Sequence, residues 1–317
     1  MCNIWQHPTL PDEEITAADL RTLPKLKFIN ITGGEPFVRD DLAEIVEECY
    51  RHAPRIVIST SGWFSDRIIE LARQFPNIGI RISIEGVGTM NDTLRGREGG
   101  YQRGFDTVEA LRKMGVKDVG IACTIGNENS ADMLKLHDRA EEMKIEFATA
   151  AVHNSYYFHK NDNKITDIAR VSADIEQLVV RQLKERNPKS WFRAYFNMGF
   201  INYISGAKRL IPCESGTTNF FINPTGEVYP CNGIEEHCRI GSMGNTKEQP
   251  FDLIWHSERA DEVRRRVASC PKNCWMIGSV APVMKKHFAK PAKWVIKNKL
   301  RVACGMAPKF INGDKRQ

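Results

Sequence analysis

Lys27-Phe28-Ile29-Asn30-Ile31-Thr32 followed by Gly33-Gly34-Glu35-Pro36 is an apolar run that stops at a glycine pair, and its reading decides the fold. A run of this length and composition, followed by the amphipathic stretch Asp41 to Tyr50, is the signature of a strand leading into a helix. Leu42, Ile45, Val46 and Cys49 share one face of that helix. The same alternation recurs downstream. Strands are expected at Arg55 to Thr60, Ile78 to Glu85, Asp118 to Ile125 and Glu146 to Val152, each with a helix after it. The helix at Phe105 to Met114 is closed by Gly115. Five βα units in succession predict an α/β parallel sheet of barrel type. A sixth is implied by a strand upstream of the chain, followed by a short helix at Thr16 to Leu23. Residues 156–164 read as a polar connection, Val171 to Glu185 as a long helix leading out of the barrel, and Asp252 to Val267 as a helical stretch further on.

The chain has 317 residues, 42% of them hydrophobic, enough for one barrel-sized domain and a smaller module. No apolar run approaches the roughly 20 residues that cross a bilayer, and the start lacks the basic and apolar regions of a signal peptide. A cytoplasmic protein is expected. In that compartment nine cysteines, five of them between Cys213 and Cys274, point to metal ligation or thiol chemistry before disulfides. The net charge of +6 is unevenly spread. Residues 285–317 hold ten Lys or Arg against Asp314 alone, a net of +9, so residues 1–284 carry −3. An anionic partner is expected for the tail.

Two motifs carry chemistry. Glycines at a strand end let a ligand approach the main chain, and strand C-terminal ends are where barrels build active sites. By itself, Gly33-Gly34 also reads as a tight βα turn. The second motif is the cysteine set: Cys213, twelve residues, Gly226, four residues, Cys231, and then Cys270-Pro271-Lys272-Asn273-Cys274. Asn223-Pro224-Thr225-Gly226 makes a hairpin turn between Asn219 to Ile222 and Glu227 to Tyr229, bringing Cys213 toward Cys231. Four thiolates at these spacings suit a structural zinc ion or one iron–sulfur cluster.

Thr-Gly-Gly-Glu-Pro standing about 30 residues after Met1-Cys2-Asn3-Ile4-Trp5 resembles the radical S-adenosylmethionine (radical SAM) superfamily, in which a CxxxCxxC loop holds a 4Fe-4S cluster with one iron open to S-adenosylmethionine. The resemblance implies a partial (β/α)6 barrel over residues 1–190 with its first strand missing. Cys2 is then the last ligand of the loop, whose first two cysteines fall upstream of Met1. The expectation is a late start, and no S-adenosylmethionine cleavage by the chain as it stands. It further implies that Gly33, Gly34, Glu35 and Pro36 receive the methionyl group. Thr60 in Ser59-Thr60-Ser61-Gly62, and Ser83 and Glu85 in Ser83-Ile84-Glu85-Gly86, contact the nucleoside. The loop Arg95 to Gly100 is either substrate-facing or merely solvated. The cysteine pattern is similar to SPASM or shorter Twitch modules, expected here over residues 191–280. Cys213, Cys231, Cys270 and Cys274 would hold an auxiliary 4Fe-4S cluster, with Cys238 as a substitute. Asp261 and Arg264 stand where a further CxxC pair would be, which favours a single cluster. Cys49 and Cys123 read as core residues.

The resemblance implies hydrogen abstraction by a 5'-deoxyadenosyl radical from a peptide or an anionic or lipid-linked small molecule. A reductant of the flavodoxin or ferredoxin kind would be its partner. No residue stands out as a substrate acid or base. The tail, 281–317, reads either as an interfacial helix broken at Pro291, giving contact with a membrane or a lipid-linked substrate, or as a helix packed on the protein through Trp294 and Phe288; nothing accompanies its charge that would suit nucleic acid. Two other classes stay open, a non-catalytic iron–sulfur electron-transfer or binding protein and a zinc-stabilised barrel protein.

Overall fold

The computed structural model describes residues 2–234 and 240–310. Its first layer is a five-stranded parallel sheet in sequential order: β1 (Ile29–Ile31), β2 (Ile56–Thr60), β3 (Gly79–Ser83), β4 (Val119–Ile125) and β5 (Glu146–Ala151). The connecting helices are α1 (Leu42–His52), α2 (Ser65–Gln74), α3 (Thr89–Arg95), α4 (Gly100–Lys113) and α5 (Ser130–Glu142). All five expected strands are present, trimmed by one or two residues at most ends. Ile56, Ile58, Ile80, Ile82 and Ile121 are fully buried. Both faces of the central strands are covered, hence their near-continuous apolar runs. The segment at Thr16 to Leu23 forms a single 3-10 turn, Ala17–Leu20, held by a capping box between Thr16 and Asp19. Cys49 and Cys123 are buried in the core, as expected.

The N-terminal ends of the strands are stapled by one carboxylate. Asp118, just before β4, accepts from Arg55 Nε at 2.9 Å and also pairs with Arg81 of β3. Burial pushes its carboxyl upward, but the two guanidinium partners hold it down at about 2. Residues at this face of a barrel serve stability, which leaves the opposite strand ends for chemistry.

Two long helices leave the barrel, α6 (Ile168–Lys184) and α7 (Pro188–Ile204). Every residue from Ala194 to Phe200 in α7 is buried. A helix wrapped on all sides loses the 3.6-residue apolar period, so the sequence does not announce it. Beyond lies a three-stranded antiparallel sheet of β6 (Phe221–Ile222), β7 (Glu227–Tyr229) and β8 (Gly244–Asn245). The expected hairpin is its first half; β8, two residues long, is additional. The stretch Asp252 to Val267, read as one helical segment, is two helices, α8 (Phe251–Trp255) and α9 (Glu258–Ala268). The break falls at Ser257, whose side chain caps the second by accepting from Ala260 N. The chain ends in α10 (Ile277–Lys286) and α11 (Ala289–Ala303). The tail breaks at His287–Phe288 and not at Pro291. Pro291 lies in the first turn of α11, where a missing N–H costs no helical hydrogen bond. Among the described residues, no helix is long and apolar enough to cross a membrane.

Candidate functional site

The turn after β1 sits at the open end of the half-barrel. Gly33 has φ +150°, a conformation that favours glycine, and a side chain there would come within 3.7 Å of the Tyr157 hydroxyl. A side chain at Gly34 would touch Ile4 at 3.7 Å. The Cys2–Ile4 segment therefore lies over the glycine pair. It is held there by Asn3 N donating to Phe158 O at 2.9 Å, with Cys2 Sγ 3.9 Å from the same oxygen. Burial and the neighbouring Cys2 and Glu14 push the Tyr157 hydroxyl up to about 12.

Glu35 turns toward β2. Its carboxylate accepts from Thr60 Oγ1 and Ser61 N, both at 2.7 Å, from Phe37 N at 3.2 Å, and from the Ser61 hydroxyl. Pro36 is buried at the start of the short turn Pro36–Val38 that this carboxylate caps. Ser83 ends β3, half-buried. Glu85, two residues on, is buried and accepts from Thr124 N at 2.5 Å and Arg95 Nη1 at 3.1 Å. Burial raises its carboxyl despite Arg95. Asn91 and Asn129 hold the Glu85 backbone from either side, at 2.8 and 2.6 Å. The Arg95 to Gly100 loop is exposed over residues 95–99, yet two of its side chains are held. Arg95 faces inward to Glu85, and Arg97 stacks on Trp63 at 3.9 Å.

The second site is built by residues far apart in sequence. Cys213, Cys231, Cys270 and Cys274 line one cavity, together with Ser215 and Met276. Cys231 is pushed up to about 12 by burial, and then by the other three thiols. Burial also raises Cys274, against the pull of Arg209 and Lys272. Arg209 Nη1 lies 2.5 Å from Cys274 O and 3.6 Å from its sulfur, while Arg209 Nη2 and Ser215 Oγ are buried without partners. Four thiols spaced around one cavity, beside buried donors with nothing to meet, fit a polynuclear thiolate-bound centre. Zinc fits less well. A tetrahedron with Zn–S of about 2.3 Å holds its sulfurs roughly 3.8 Å apart. Among the described residues, no three of these sulfurs lie within 4.8 Å of one another. At the positions of a further cysteine pair, Asp261 and Arg264 form an ion pair at 2.7 Å, and Arg264 also donates to Gly216 O at 2.8 Å. Cys238 lies outside the described residues.

One segment joins the two sites. The turn closed by the Ser155–Lys160 bridge presents Tyr157 and Phe158 to Cys2 and the glycine pair. On its other side Ser155 Oγ donates to Asn232 O at 2.5 Å and Tyr156 N to Ile234 O at 2.7 Å, both just after Cys231. Lys272, between the last two cysteines, donates to both Asn154 O and Gly233 O. Sequence reading missed Tyr157, Arg209 and Lys272. Tyr157 and Arg209 act across a long chain separation with no local pattern to mark them, and Lys272, although inside the cysteine motif, finds its partner Asn154 118 residues away.

Comparison with known proteins agrees with this geometry. Residues 3–140 match the model of the radical SAM superfamily, and residues 213–275 match SPASM, an iron–sulfur cluster-binding domain. The chain thus carries a radical SAM domain in its half-barrel and a SPASM module after it, a combination that implies S-adenosylmethionine, a 4Fe-4S cluster and an auxiliary cluster as cofactors. It is 26% identical over 297 residues to the pre-heme d1 synthase of Dinoroseobacter shibae, covering 82% of this chain and 71% of that protein. It is 33% identical over 259 residues to the Fe-coproporphyrin III synthase of Methanosarcina barkeri, covering 74% and 62%. Against the subtilosin biosynthesis protein AlbA of Bacillus subtilis it is 26% identical over 230 residues, covering 72% and 48%. The chain therefore spans between about half and seven-tenths of these relatives. In fold it is similar to native anSMEcpe with bound AdoMet and a Cp18Cys peptide, with TM-score 0.59, 11% identity, and 89% and 90% of the two chains covered. SuiB of Streptococcus suis is similar at TM-score 0.59 and 18% identity, with 79% and 62% covered.

Proposed function

We propose that the chain is the body of a radical SAM enzyme, in which reduction of S-adenosylmethionine by a 4Fe-4S cluster supplies a 5'-deoxyadenosyl radical that takes a hydrogen atom from the substrate. The observation that carries this reading is the convergence of Cys2, the Gly33–Gly34 turn and the β2 end at one mouth of the half-barrel. Cys2 is assigned to the cluster. Gly33 and Gly34 leave main chain uncovered for the methionyl group, and Glu35 and Pro36 fix the turn that presents it. Thr60, Ser83 and Glu85 are assigned to the nucleoside side. Cys213, Cys231, Cys270 and Cys274 are assigned to one auxiliary cluster, with Arg209 and Lys272 offsetting its negative charge.

The substrate class is a peptide or an anionic small molecule, lipid-linked if the basic tail takes part in its delivery. Relatives named for peptide maturation and for heme synthesis support both. A flavodoxin- or ferredoxin-like reductant supplies the electron. Three thiolates hold such a cluster, so cleavage is expected of a protein in which the CxxxCxxC loop that Cys2 would close is complete.

The test is anaerobic reconstitution with iron and sulfide of this chain and of one extended upstream to complete the loop. About four irons in the first, about eight in the second, and 5'-deoxyadenosine from the second on reduction are the expected results. If the completed loop binds its iron yet yields no 5'-deoxyadenosine, the catalytic reading falls and a non-catalytic iron–sulfur protein takes its place.

A further inference from the structure

The tail helix α11 has two apolar faces, and the fold uses one. On the inner face Trp294 and Val295 are buried, with Trp294 edge-on to Tyr195 of α7 at 5.6 Å and its Nε1 donating to Lys309 O. Buried Asn298 bonds Trp294 O and Lys309 N, closing the chain end over the helix. Lys299 donates to Leu183 O at 2.8 Å and lies 4.0 Å over the Trp191 ring. This face needs no further partner.

The outer face is different. Lys293, Ile296 and Leu300 follow at i, i+3 and i+7, one side of a helix. Ile296 is 63% and Leu300 64% exposed, and Phe288, at the elbow before the helix, is 63% exposed. Lys285, Lys293 and Lys297 form no ion pair among the described residues, whereas Lys286 pairs with Glu214 at 2.9 Å. The elbow thus rests on the residue next to Cys213, and its cleft is lined by Ile211, Pro212, Phe288 and Lys290. Large apolar side chains held in water beside unpaired lysines cost the free protein solvation that a charged, oily surface returns.

We propose that the outer face of α11 and the His287–Phe288 elbow dock on an anionic lipid bilayer surface, with Phe288, Ile296 and Leu300 entering the headgroup boundary and Lys285, Lys293 and Lys297 over the phosphates. Three features choose a bilayer over another polyanion. The apolar residues lie on a convex helix face, suited to a flat, deformable surface. The unpaired cations are lysines, whose stems snorkel. A nucleic acid or an acidic protein loop satisfies the charges and leaves Ile296 and Leu300 in water. The +9 tail on a −3 body orients the molecule with this face toward negative charge. The proposal is independent of the radical reading, because it needs neither cluster nor S-adenosylmethionine.

The experiment is co-sedimentation of the full chain with vesicles of phosphatidylcholine alone or with phosphatidylglycerol added, over a salt series. Binding to the anionic vesicles at least tenfold stronger than to neutral ones is expected. Lys293→Gln with Lys297→Gln lowers it about 30-fold, at roughly fivefold for each charge near the surface. Ile296→Ser with Leu300→Ser lowers it about tenfold or more at unchanged charge. Lys113→Gln with Lys117→Gln, exposed on the barrel, leaves it unchanged; circular dichroism confirms that each variant is folded. Equal binding to both vesicle types overturns the proposal. So does anionic binding that ignores the two serine substitutions, since that is capture by charge alone, the behaviour expected of a nucleic-acid or acidic-protein surface.

Discussion

At the mouth of the half-barrel Glu35 meets hydrogen-bond donors from the end of β2 and from its own turn, and Glu85 meets Thr124 and Arg95. In the thiol cavity burial and then the neighbouring sulfurs raise the proton affinity of Cys231 and Cys274, and Arg209 and Ser215 keep buried polar atoms without partners. The carboxylates at the barrel mouth find their partners within the protein, whereas the polar atoms of the thiol cavity do not. The contrast predicts where stability depends on a cofactor: the folding of the module is expected to be coupled to the cluster that its thiols would hold, more than that of the sheet.

The largest effect that would break this contrast comes from iron removal. Chelation, or Cys231→Ser, is expected to abolish the visible charge-transfer absorbance and lower the unfolding midpoint by roughly 10 °C or more. An apo protein that melts with the holo form would erase the distinction. Next is Arg95→Ala, which strands the buried Glu85 and is expected to cost about 3 to 5 kcal/mol in denaturant unfolding. Arg95→Ala with Glu85→Gln recovers most of it; no recovery would mean that the ion pair is not the source.

A smaller effect is tied to pH at the opposite end of the barrel. The Asp118 carboxyl is held at about 2, below its unfolded value of 3.8, so its contribution is whole above about pH 4 and drains as pH falls toward 2. The loss is about 2 kcal/mol at most, and Asp118→Asn is expected to flatten acid unfolding in that window. A variant that keeps the wild-type slope refutes the assignment. The smallest is Gly33→Ala. Space exists beside Tyr157, so only the backbone conformation resists, at about 1 kcal/mol. Calorimetry would register it. A cost several times larger would mean that the turn is less accommodating than its surroundings suggest.

The parts legible in sequence are those whose physics is local. Continuous Ile and Val runs mark strands buried on both faces, and Gly33, Gly226 and the cysteine spacings announce turns and thiol pairs within a few residues of themselves. The capping serine Ser257 also carried a local signal, and reading through it merged α8 with α9. Helix α7 was hidden for the opposite reason: buried on all sides, it has no polar stripe for a period to show. Arg209 and Tyr157 were illegible because each meets its site from 65 to more than 120 residues away, and Lys272, although inside the Cys270–Cys274 motif, was illegible because its partner Asn154 lies 118 residues back. The tail was half legible. Its two faces can be counted on a helical wheel, but which one the protein covers depends on α6 and α7.

The turn closed by Ser155 and Lys160 sets the unit of exchange for anyone recombining this molecule with its relatives. Transplanting residues 213–275 alone would leave behind the Asn154 and Ser155 contacts of Lys272 and Asn232 and import a cysteine module facing a foreign wall. A chimera that also carries residues 153–163 keeps that wall, and brings with it the Phe158 carbonyl that seats Asn3 at the other mouth. The smallest graft that respects both interfaces is therefore discontinuous, two segments about 50 residues apart in the chain.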